Sequence, residues 1–515
     1  IEIVENGYKR IEKVVKGIKT KTGMEFFAKA VVLATGTFLR GLLYIGDKRV
    51  KGGRMGELSA DDLTSSLKSL GLKMGRFKTG TPPRLDIRTL NLEKLEEQPG
   101  ITGVPLKFSM RTPNSEILEK PQLSCYLTRT NETTHKIILD NLDKAPMYNG
   151  SISSTGPRYC PSIEDKVVKF NDKDSHHLFL EPEGFETAEV YISGLSTSYP
   201  ASLQQKIVNT INGLENAHIM RYGYAVEYDF IPAYQLNLTL ETKVLNGLYT
   251  AGTINGTSGY EEAACQGFIA GVNAARKILG KKEIIIERSE GYIGVLIDDI
   301  INKKTPEPYR VLPSRAEYRL TLRQDNIFIR LLEKSKEIGL LNSEKLKELE
   351  NVRNEIETEI ERLKGITVYP TKETNEKLER IGKEFNIKNG SEDISTKSAN
   401  SPVSAFEFLA RKEISYDNLS EFVETVDLSP LAKEQVEINA KYNVFIEREK
   451  AQIEKFEKLE KMEIPEDIDY ESIQGLSNIA ISGLMYGKPA TIGQASRISG
   501  VTYNDISLLI AILKN

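Results

Sequence analysis

The segment from Gly247 to Leu279, GLYTAGTINGTSGYEEAACQGFIAGVNAARKIL, places the strongest constraint on the fold. Leu248 to Ala251 is short and apolar and is closed by Gly252, which predicts a buried strand that ends at a tight turn. The residues after Tyr260 predict a helix. The segment therefore predicts a strand, a glycine-rich turn and a helix in succession.

Small residues dominate both the turn and one side of the predicted helix. The helix carries them at every fourth position, which would let another element approach closely: Ala263, Gly267, Gly271 and Ala275. The turn contains Gly252, Gly256 and Gly259. Such a turn directs free N–H groups and a partial positive charge at one point, which suits a phosphate group or an electron-rich ring edge. Spacing alone equally allows a glycine-rich helix that only packs on a sheet.

A second stretch, Ala30 to Gly36 (AVVLATG), predicts a fully buried parallel strand that is stopped by a small-residue turn. Sheets that bind nucleotides often end in this way. Neither GxGxxG nor GxxxxGK[ST] occurs in the chain, so the motifs present identify neither a dinucleotide fingerprint nor a P-loop.

Length and composition exclude several classes of protein. A chain of 515 residues suits about three domains. The net charge of -4 gives no global basic field, so a nucleic-acid surface would have to be local. Three cysteines without CxxC spacing argue against a disulfide framework and a zinc site, and four histidines form no HExxH, which argues against a metal hydrolase. Without a signal peptide or a long apolar run, we expect a cytoplasmic protein.

The chain begins at Ile1 without methionine, in sequence that already predicts strands at Ile1 to Val4 and Val14 to Ile18. We therefore expect that an N-terminal segment is missing.

The pattern along the chain predicts a division into four parts. Residues 1–84 would form the first part of an α/β domain, 85–165 an inserted α+β domain, 166–285 the second part of the α/β domain, and 286–515 an all-α region. Within this scheme Lys78 to Arg84 (KTGTPPR) is a rigid turn with two cationic donors, which suits an anion or a crossing between domains. Glu132 to Leu142 predicts a helix.

Gly156 to Phe170 (GPRYCPSIEDKVVKF) contains the cysteine of greatest chemical interest. Pro161 stands where a first helical residue would stand, which predicts Cys160 as the N-cap of a helix that carries Glu164 and Asp165. A thiol at a helix N-terminus, two residues from Arg158, would favour the thiolate. The alternative is a buried, inert cysteine.

Helical periodicity with many Glu and Lys residues continues from Gly280 to the end. Arg315, Arg319 and Arg323 recur every fourth residue, which predicts one basic stripe on a helix, and Tyr309 and Tyr318 are interleaved with it. Such a stripe suits a phosphate backbone, although a solvated face with ion pairs would look the same.

Asn342 to Lys364 and Glu434 to Met462 predict long helices. The tail has the rhythm of a helix, a turn at Gly500 and an apolar helix over Asn504 to Lys514, which favours a helical hairpin over a DNA reader.

Six motifs in order closely resemble the bacterial MnmG (GidA) family of tRNA uridine 5-carboxymethylaminomethyl modification enzymes. The resemblance extends from Ile1 to the C-terminus. The motifs are KTGTPPR at Lys78, THKIILDNLDKAPMY at Thr134, GPRYCPSIEDK at Gly156, INGTSGYEEAACQG at Ile254, EPYRVLPSRAEYRL at Glu307 and IGQASRISGVT at Ile492.

The resemblance implies a homodimeric, Rossmann-like α/β flavoenzyme of the glutathione-reductase type that uses FAD and NADH. With a GTPase partner of the MnmE type, in a heterotetramer, it would modify the wobble uridine of certain tRNAs. The one-carbon unit would come from methylenetetrahydrofolate and the amine from glycine or ammonia. The C-terminal hairpin would meet the GTPase. By the same resemblance, residues 1–84 and 166–285 would be the two parts of the FAD-binding domain, 85–165 would lie on the NADH and substrate side, and 286–515 would bind tRNA and the GTPase.

The same resemblance implies which residues form the sites. FAD would lie at Gly36, Gly252, Thr253, Asn255, Gly256, Gly259, Tyr260, Glu261 and Glu262. The nicotinamide cofactor would lie at Gly156, Pro157, Arg158, Tyr159, Cys160, Pro161, Ser162, Ile163, Glu164, Asp165, Lys166, Val167, Val168, Lys169 and Phe170. The tRNA would contact Lys304, Arg310, Arg315, Arg319 and Arg323.

Two departures from the family pattern bear on the cofactor. Thr253 stands where the family usually has Gln in its AGQING loop, so a side-chain contact there would be shorter or replaced by water. The family's GxGxxG and its other cysteine precede Ile1. If the polypeptide starts there, we expect little bound flavin and no turnover.

Carbon 5 of uracil becomes a nucleophile when a group adds at carbon 6, and a thiolate is the strongest candidate that this chain offers. Cys160 could be that group, a general acid-base or a positioning residue. Two other functions stay open: a folate- and FAD-dependent tRNA uridine methyltransferase, and an inactive tRNA-binding fragment.

Overall fold

The structure is a computed structural model that describes residues 2–5, 11–101, 103, 112–159, 161–303, 306–388, 398–465 and 467–513. The chain divides into two compact units, residues 1–283 with 303–310 and residues 284–302 with 311–515. The first unit is mixed α/β and the second is helical, which confirms the predicted order of fold classes. The finer division into four domains stays a prediction.

The first unit contains all the longer strands, numbered here along the chain. They are β1 (Glu2–Glu5), β2 (Ile11–Val14), β3 (Gly17–Lys19), β4 (Glu25–Phe27), β5 (Val31–Leu33), β6 (Leu42–Ile45), β7 (Lys48–Lys51), β8 (Gly75–Thr81), β9 (Arg84–Asp86), β10 (Glu96–Gln98), β11 (Cys125–Arg129), β12 (His177–Pro182), β13 (Glu189–Ser193), β14 (Ile219–Arg221), β15 (Tyr224–Phe230) and β16 (Leu248–Thr250). Its helices are α1 (Asp61–Ser69), α2 (Asn114–Leu118), α3 (Glu132–Leu139), α4 (Ile163–Lys169), α5 (Ala201–Val208) and α6 (Tyr260–Ile278).

The chain forms a second, six-stranded sheet between two paired strands of a four-stranded sheet. Strands β8 and β15 pair along their whole length in an antiparallel sheet of order β7-β6-β15-β8. The chain between them forms an antiparallel sheet of order β10-β11-β12-β13-β9-β14. Helices α3, α4 and α5 bury Ile138, Ile163 and Ile207 against this sheet, whose strands contribute Leu178 and Leu180 to the same core. Burial of apolar surface is the main force that fixes such helices on a sheet.

Strands β5 and β16 lie parallel, with Val31 opposite Leu248 and Leu33 opposite Thr250. The predicted strand in Ala30 to Gly36 and its parallel pairing are thus present. The prediction that it is fully buried is wrong for the described residues, because Val32 is 39% exposed. Among the described strands, β16 is the one that pairs with β5.

Helix α6 begins at Tyr260, as predicted. The predicted close approach along its small residues occurs at its first turn, where a Cβ on Gly252 would lie 3.3 Å from the Cβ of Ala263. Further along, nothing described lies within 4 Å of a Cβ built on Gly267 or Gly271. For the described residues, the close packing predicted along that stripe is therefore wrong beyond its first turn.

The second unit consists of helices and one short strand pair. The helices are α7 (Tyr292–Asn302), α8 (Ile327–Arg330), α9 (Leu332–Ile338), α10 (Ser343–Gly365), α11 (Lys372–Lys388), α12 (Ala405–Leu409), α13 (Tyr416–Leu419), α14 (Pro430–Glu460), α15 (Asn478–Gly487), α16 (Ile492–Ser496) and α17 (Tyr503–Leu513). The strands are β17 (Thr367–Val368) and β18 (Val403–Ser404). No helix in the described ranges is both long enough and apolar enough to cross a membrane.

Capping residues set the ends of the long helices. The Asn342 side chain accepts from the Lys345 N–H at 2.8 Å and begins α10 where the sequence predicts it. Helix α14 begins four residues before the predicted Glu434, because Ser429 caps it and Pro430 suits its first turn. The predicted hairpin of the tail is present as α16 and α17, with Ile506 and Leu509 buried in the local core.

Candidate functional site

The carboxyl ends of β5 and β16 bring buried polar groups to one edge of the sheet. Thr250 ends β16, Thr35 follows β5, and Asn255 lies in the next turn. The Thr35 and Thr250 hydroxyls and the Asn255 Oδ1 are buried, and none has a hydrogen-bond partner in the described part of the chain. A buried polar atom without a partner costs about 1–3 kcal/mol, so these three atoms mark a place where a ligand could complete the hydrogen bonding.

Gln266, which the sequence analysis did not select, holds the glycine-rich turn in shape. Its Oε1 accepts from the Gly252 N–H at 3.2 Å and from the Asn255 Nδ2 at 2.8 Å. Its Nε2 donates to the Thr257 hydroxyl and to the Glu262 carbonyl, both at 3.0 Å. Gln266 is fully buried, so one amide side chain organises the whole turn. Its position four residues after Glu262, on the buried face of α6, is the only sequence signal for this role.

Three glycines give the turn its path. Gly252 (φ 83°), Gly256 (φ 78°) and Gly259 (φ 128°) all have positive φ, which disfavours side chains. A Cβ on Gly259 would lie 1.9 Å from Oε2 of Glu262, so the Glu262 carboxylate occupies the space beside this glycine. Tyr260 follows and is 93% exposed.

The first turn of α6 bears on the two ligand classes that the sequence left open. It carries Glu261 and Glu262, and negative charge at this end repels a phosphate even though the helix dipole attracts one. The edge of an electron-rich ring carries less charge and fits this end better. The buried acceptors and hydroxyls nearby and the bare backbone at Gly36 (φ 55°) and Gly252 suit a flat heteroaromatic ring such as that of a flavin.

Helix α4 begins later than the sequence predicts. Its N-cap is Ser162, whose hydroxyl accepts from the Asp165 N–H at 3.4 Å, and the helix itself begins at Ile163. The prediction of Cys160 as the N-cap is therefore wrong. Serine is a better capping residue than cysteine because its oxygen is the stronger acceptor. Cys160 itself lies outside the described residues.

Residues on both sides of Cys160 are fixed by side chains from elsewhere in the unit. A Cβ on Gly156 would lie 2.6 Å from Cε of the buried Lys78, so a side chain at this position would displace that lysine. Arg158 forms an ion pair with Glu307 at 3.1 Å, while Tyr159 is 51% exposed. The Arg158 charge is thus partly neutralised by its own ion pair.

The rest of the predicted nicotinamide segment divides between core and surface. Ile163 and Val167 are buried in the core, and Lys166 donates to the Gly194 carbonyl at 3.1 Å. Asp165 accepts from the Tyr148 hydroxyl at 3.1 Å and lies 3.7 Å from Lys169. Only part of the segment is therefore accessible to a ligand. Of its other residues, Pro157 and Ser162 are buried, Pro161 and Val168 are half-buried, and Phe170 is exposed.

Glu164 is the most unusual group in this segment, since it is a carboxylic acid that is only 1% exposed. The Thr197 hydroxyl donates to its Oε1 at 2.5 Å and the Ser198 N–H donates at 3.3 Å. Its Oε2 is buried without a hydrogen-bond partner among the described residues. Burial raises the pKa of Glu164, although the hydrogen bond from Thr197 opposes this. The sequence analysis named Glu164 only as one member of the segment.

Glu164→Gln should make the stability of the protein less dependent on pH. Above its ordinary pKa of 4.5 the unfolded chain loses the proton while the folded chain retains it, so the wild type loses stability as the pH rises. The loss is at most about 1.4 kcal/mol per pH unit, until the pH passes the folded-state pKa. The variant should match the wild type near pH 4 and exceed it at pH 7.

Urea unfolding followed by circular dichroism at three pH values measures this difference. The exposed Glu93→Gln is the matched control and should follow the wild type throughout. Curves for Glu164→Gln that run parallel to the wild type from pH 4 to 7 would contradict a carboxyl group kept protonated by burial.

The other two cysteines are poor candidates for a thiolate. Burial raises the pKa of Cys125, and the charge of Glu181 adds to the effect. Burial also raises the pKa of Cys265, together with Glu262 and Glu261. Since the thiolate is the reactive form, these shifts disfavour reaction at either thiol.

The basic stripe predicted on a helix is wrong. Arg315 ends a single 3-10 turn (Pro313–Arg315), and the next helix is α8, which begins at Ile327. Arg323 donates to Asp325 and Gln435, and Arg315 lies 4.0 Å from Asp299, so both contact their own unit. Arg319 is exposed and forms no ion pair within the described ranges.

The tyrosines predicted to stack with nucleic acid are also placed differently. Tyr309 is 2% exposed and Tyr318 is 7% exposed, so neither presents a ring face to a ligand at the surface. Arg310 is half-buried, and Lys304 lies outside the described residues. Four-residue spacing failed here because Pro313 and the irregular backbone after it do not continue a helix.

Arg84 and Lys78, in the KTGTPPR motif, serve the fold of their unit. Arg84 donates to Glu183 at 2.7 Å and to the Pro82 carbonyl at 2.9 Å, and it stacks over the Tyr191 ring at 4.6 Å. Lys78 is 5% exposed. Of the two uses that the sequence allowed, the described contacts favour a structural crossing over an anion site.

Three family models match the chain. "Glucose inhibited division protein A" matches residues 1–282, "tRNA modifying enzyme MnmG/GidA C-terminal helical domain" matches 343–450, and the "C-terminal helical bundle" of the same enzyme matches 452–515. Together they match most of both units and leave residues 283–342 and 451 outside the matched ranges.

Similar proteins agree with these matches. The tRNA uridine 5-carboxymethylaminomethyl modification enzyme MnmG 1 of Fusobacterium nucleatum is 52% identical over 97% of this chain and 77% of its own length. MnmG of Streptococcus pneumoniae serotype 4 is 48% identical over 99% of this chain and 77% of its own length. A crystal structure of Aquifex aeolicus GidA has a TM-score of 0.83 and 42% identity, and it covers 100% of this chain and 78% of that protein. On this similarity, which extends over both the α/β unit and the helical unit, the chain belongs to the MnmG/GidA family.

Proposed function

We propose that this protein is a tRNA-modifying enzyme that adds a carboxymethylaminomethyl or aminomethyl group to carbon 5 of the wobble uridine of certain tRNAs. The observation that carries the proposal is the 52% identity over 97% of the chain to a relative of that activity, together with the three unpaired polar atoms at the carboxyl ends of β5 and β16. Ligands of α/β sheets bind at this edge.

FAD is the cofactor that best fits the glycine-rich turn. Gly252, Thr253, Asn255, Gly256 and Gly259 would surround its ring, with Gly36 on the neighbouring strand end and Tyr260, Glu261 and Glu262 at the start of α6. When bound, FAD supplies two-electron redox chemistry, with NADH as the source of hydride. Gln266 keeps the turn in position, and the Asn255 amide, whose Nδ2 is already used, presents Oδ1 to a ring donor.

Cys160 and its neighbours would act on the uracil ring and the nicotinamide cofactor. A thiolate at Cys160 would add to carbon 6 of the uracil and make carbon 5 nucleophilic, and the other two roles, acid-base catalysis and positioning, stay open. The high pKa values of Cys125 and Cys265 support Cys160 as the choice among the three cysteines of this chain. NADH would bind along Gly156 to Phe170, where Arg158 and Tyr159 are the exposed residues next to Cys160.

The enzyme would also use a one-carbon donor and three macromolecular partners. These are methylenetetrahydrofolate as one-carbon donor, a second copy of the chain, an MnmE-type GTPase at the C-terminal helices and tRNA at Lys304, Arg310, Arg315, Arg319 and Arg323. The cytoplasmic location stays a prediction.

Arg319→Ala should weaken tRNA binding and reduce its dependence on salt. Arg319 is exposed and makes no described ion pair, so its charge is available to a phosphate. Loss of one phosphate contact lowers the slope of log K against log[salt] by about 1. Filter binding of tRNA at several salt concentrations measures the slope.

Two controls separate this effect from others. Arg448→Ala removes another exposed arginine, on α14, and should leave the slope unchanged. Arg323→Ala removes contacts to Asp325 and Gln435 and should lower the thermal midpoint as well as any binding. An unchanged slope for Arg319→Ala would show that Arg319 contacts solvent and not a tRNA phosphate.

An absorption spectrum of the purified chain after addition of FAD tests the proposal as a whole. Yellow protein that is bleached by NADH, and that modifies uridine with the GTPase partner, folate and glycine or ammonia, would favour the enzyme. Colourless protein that still binds tRNA would favour the alternative of a tRNA-binding fragment. Formation of 5-methyluridine instead would favour the methyltransferase.

A further inference from the structure

Two histidines from separate elements of the α/β unit meet beside helix α3. His135 lies on α3, and His176 directly precedes β12. Their ring centroids are 5.2 Å apart, and both residues are half-buried. We call them the histidine pair. Neither residue has a part in the proposed reaction.

Thr130 joins the two histidines and directly precedes Asn131, the N-cap of α3. The Thr130 hydroxyl accepts from the His176 N–H at 2.8 Å, and the Thr130 N–H donates to the His176 carbonyl at 3.0 Å. The same Oγ1 lies 2.8 Å from Nε2 of His135, and Thr130 is only 2% exposed. Because the hydroxyl already accepts one hydrogen bond, its own proton best goes to Nε2 of His135. This arrangement requires a neutral His135 ring that carries its proton on Nδ1.

The ring of His176 leaves one polar atom unsatisfied. Its Nε2 is buried and has no hydrogen-bond partner in the described part of the chain. In the neutral ring this nitrogen can be an acceptor that lacks one hydrogen bond. In the protonated ring it would be a buried, charged N–H without an acceptor, which costs more. The surroundings of both rings therefore favour the neutral form.

The charges around His176 favour the same state. Burial lowers its pKa, and the positive charges of His135, of Lys166 on α4 and of His177 on β12 add to this effect. Asp172 opposes it. Asp172 is exposed, so solvent and salt weaken its attraction for a proton on the ring.

His135 shows a similar balance. Burial lowers its pKa, and the charge of Asp174, which is also exposed, opposes the shift. For both rings the folded-state pKa lies below the ordinary value of 6.5, so the unfolded chain takes up protons first as the pH falls. The stability that the neutral pair contributes is present above the ordinary pKa and is lost as the pH falls through the folded-state values.

We propose that the histidine pair is an acid-sensitive lock between α3 and the segment before β12, closed when both rings are neutral and opened when they are protonated. Two imidazolium rings at this separation repel each other. A protonated His135 would also direct a donor at the Thr130 hydroxyl, which already accepts from His176. The start of α3 would thereby lose its anchor. This inference does not depend on the proposed function, because it concerns the packing of the six-stranded sheet and needs no cofactor.

Amide hydrogen exchange of the full chain at pH 7 and pH 5, corrected for the intrinsic effect of pH on exchange, tests the proposal. We expect the protection of α3 to fall by about tenfold or more at pH 5, since one unit of pKa shift corresponds to a tenfold change in the equilibrium. Helix α1, which packs in a different core, is the internal reference and should change less. Glu164 does not account for such a loss, because its raised pKa favours the folded state more as the pH falls. Equal protection of α3 at both pH values would overturn the proposal.

Substitutions then assign the effect to the pair. His135→Gln still offers an oxygen acceptor to Thr130, and His176→Leu replaces a ring nitrogen that has no described partner. Each should reduce the loss of protection at pH 5, and the double variant should protect α3 equally at both pH values. His218→Gln removes an exposed histidine and should respond to pH as the wild type does. A wild-type response in both single variants would refute the assignment, and these two measurements decide the question even if the double variant does not fold.

Discussion

Replacing Cys160 with serine is expected to abolish uridine modification while the chain still binds tRNA and FAD. Serine keeps the size of the side chain but ionises far less readily, so neither a nucleophilic nor a proton-transfer role survives near neutral pH. The loss should be at least about 10²-fold for a proton-transfer group and larger for a nucleophile. Nucleoside analysis of tRNA after reaction with the GTPase partner, folate, NADH and an amine measures the product.

Cys125→Ser and Cys265→Ser are the matched controls for this experiment. Burial raises the pKa of both thiols, so serine at either position should leave the yield of modified uridine close to the wild-type value. A normal yield from Cys160→Ser would remove this residue from the mechanism. Loss of tRNA binding in the same variant would assign it to structure or positioning instead.

Gln266→Leu should nearly abolish binding of FAD and lower the free energy of unfolding by about 3–5 kcal/mol. Leucine has a similar volume but cannot accept from Gly252 or Asn255, and it leaves their buried donors with fewer partners. Each buried donor or acceptor that loses its partner costs about 1–3 kcal/mol, and the Gly252 N–H and the Thr257 hydroxyl lose theirs, whereas the Asn255 Nδ2 still donates to the Thr250 carbonyl. Equilibrium dialysis with FAD and urea unfolding measure the two effects.

Gln122→Leu controls for the general effect of this substitution, because Gln122 is exposed and bonds only the Ile117 carbonyl at 3.2 Å. It should change neither quantity appreciably. If Gln266→Leu loses stability but binds FAD as the wild type does, the turn after β16 is not where the flavin binds. That result would favour the alternative that the glycine-rich turn and helix only pack on the sheet.

The resemblance and the fold class required no coordinates. Long motifs such as GPRYCPSIEDK and INGTSGYEEAACQG indicate the family, and helical periodicity with many charged residues predicts the two longest helices near their observed positions. Helix α10 illustrates this, since its predicted start at Asn342 lies one residue before the observed start at Ser343. Such signals are local, and a local signal can be read from neighbouring residues alone.

The tertiary structure decided which polar groups are satisfied and which charges are free. Arg315, Arg319 and Arg323 look equivalent in the sequence, yet only Arg319 is exposed without a described ion pair, because Asp299, Asp325 and Gln435 come from distant parts of the chain. Glu164 and Gln266 acquire their roles in the same way. Burial and hydrogen bonding depend on residues that are remote in sequence, and spacing along the chain does not report them.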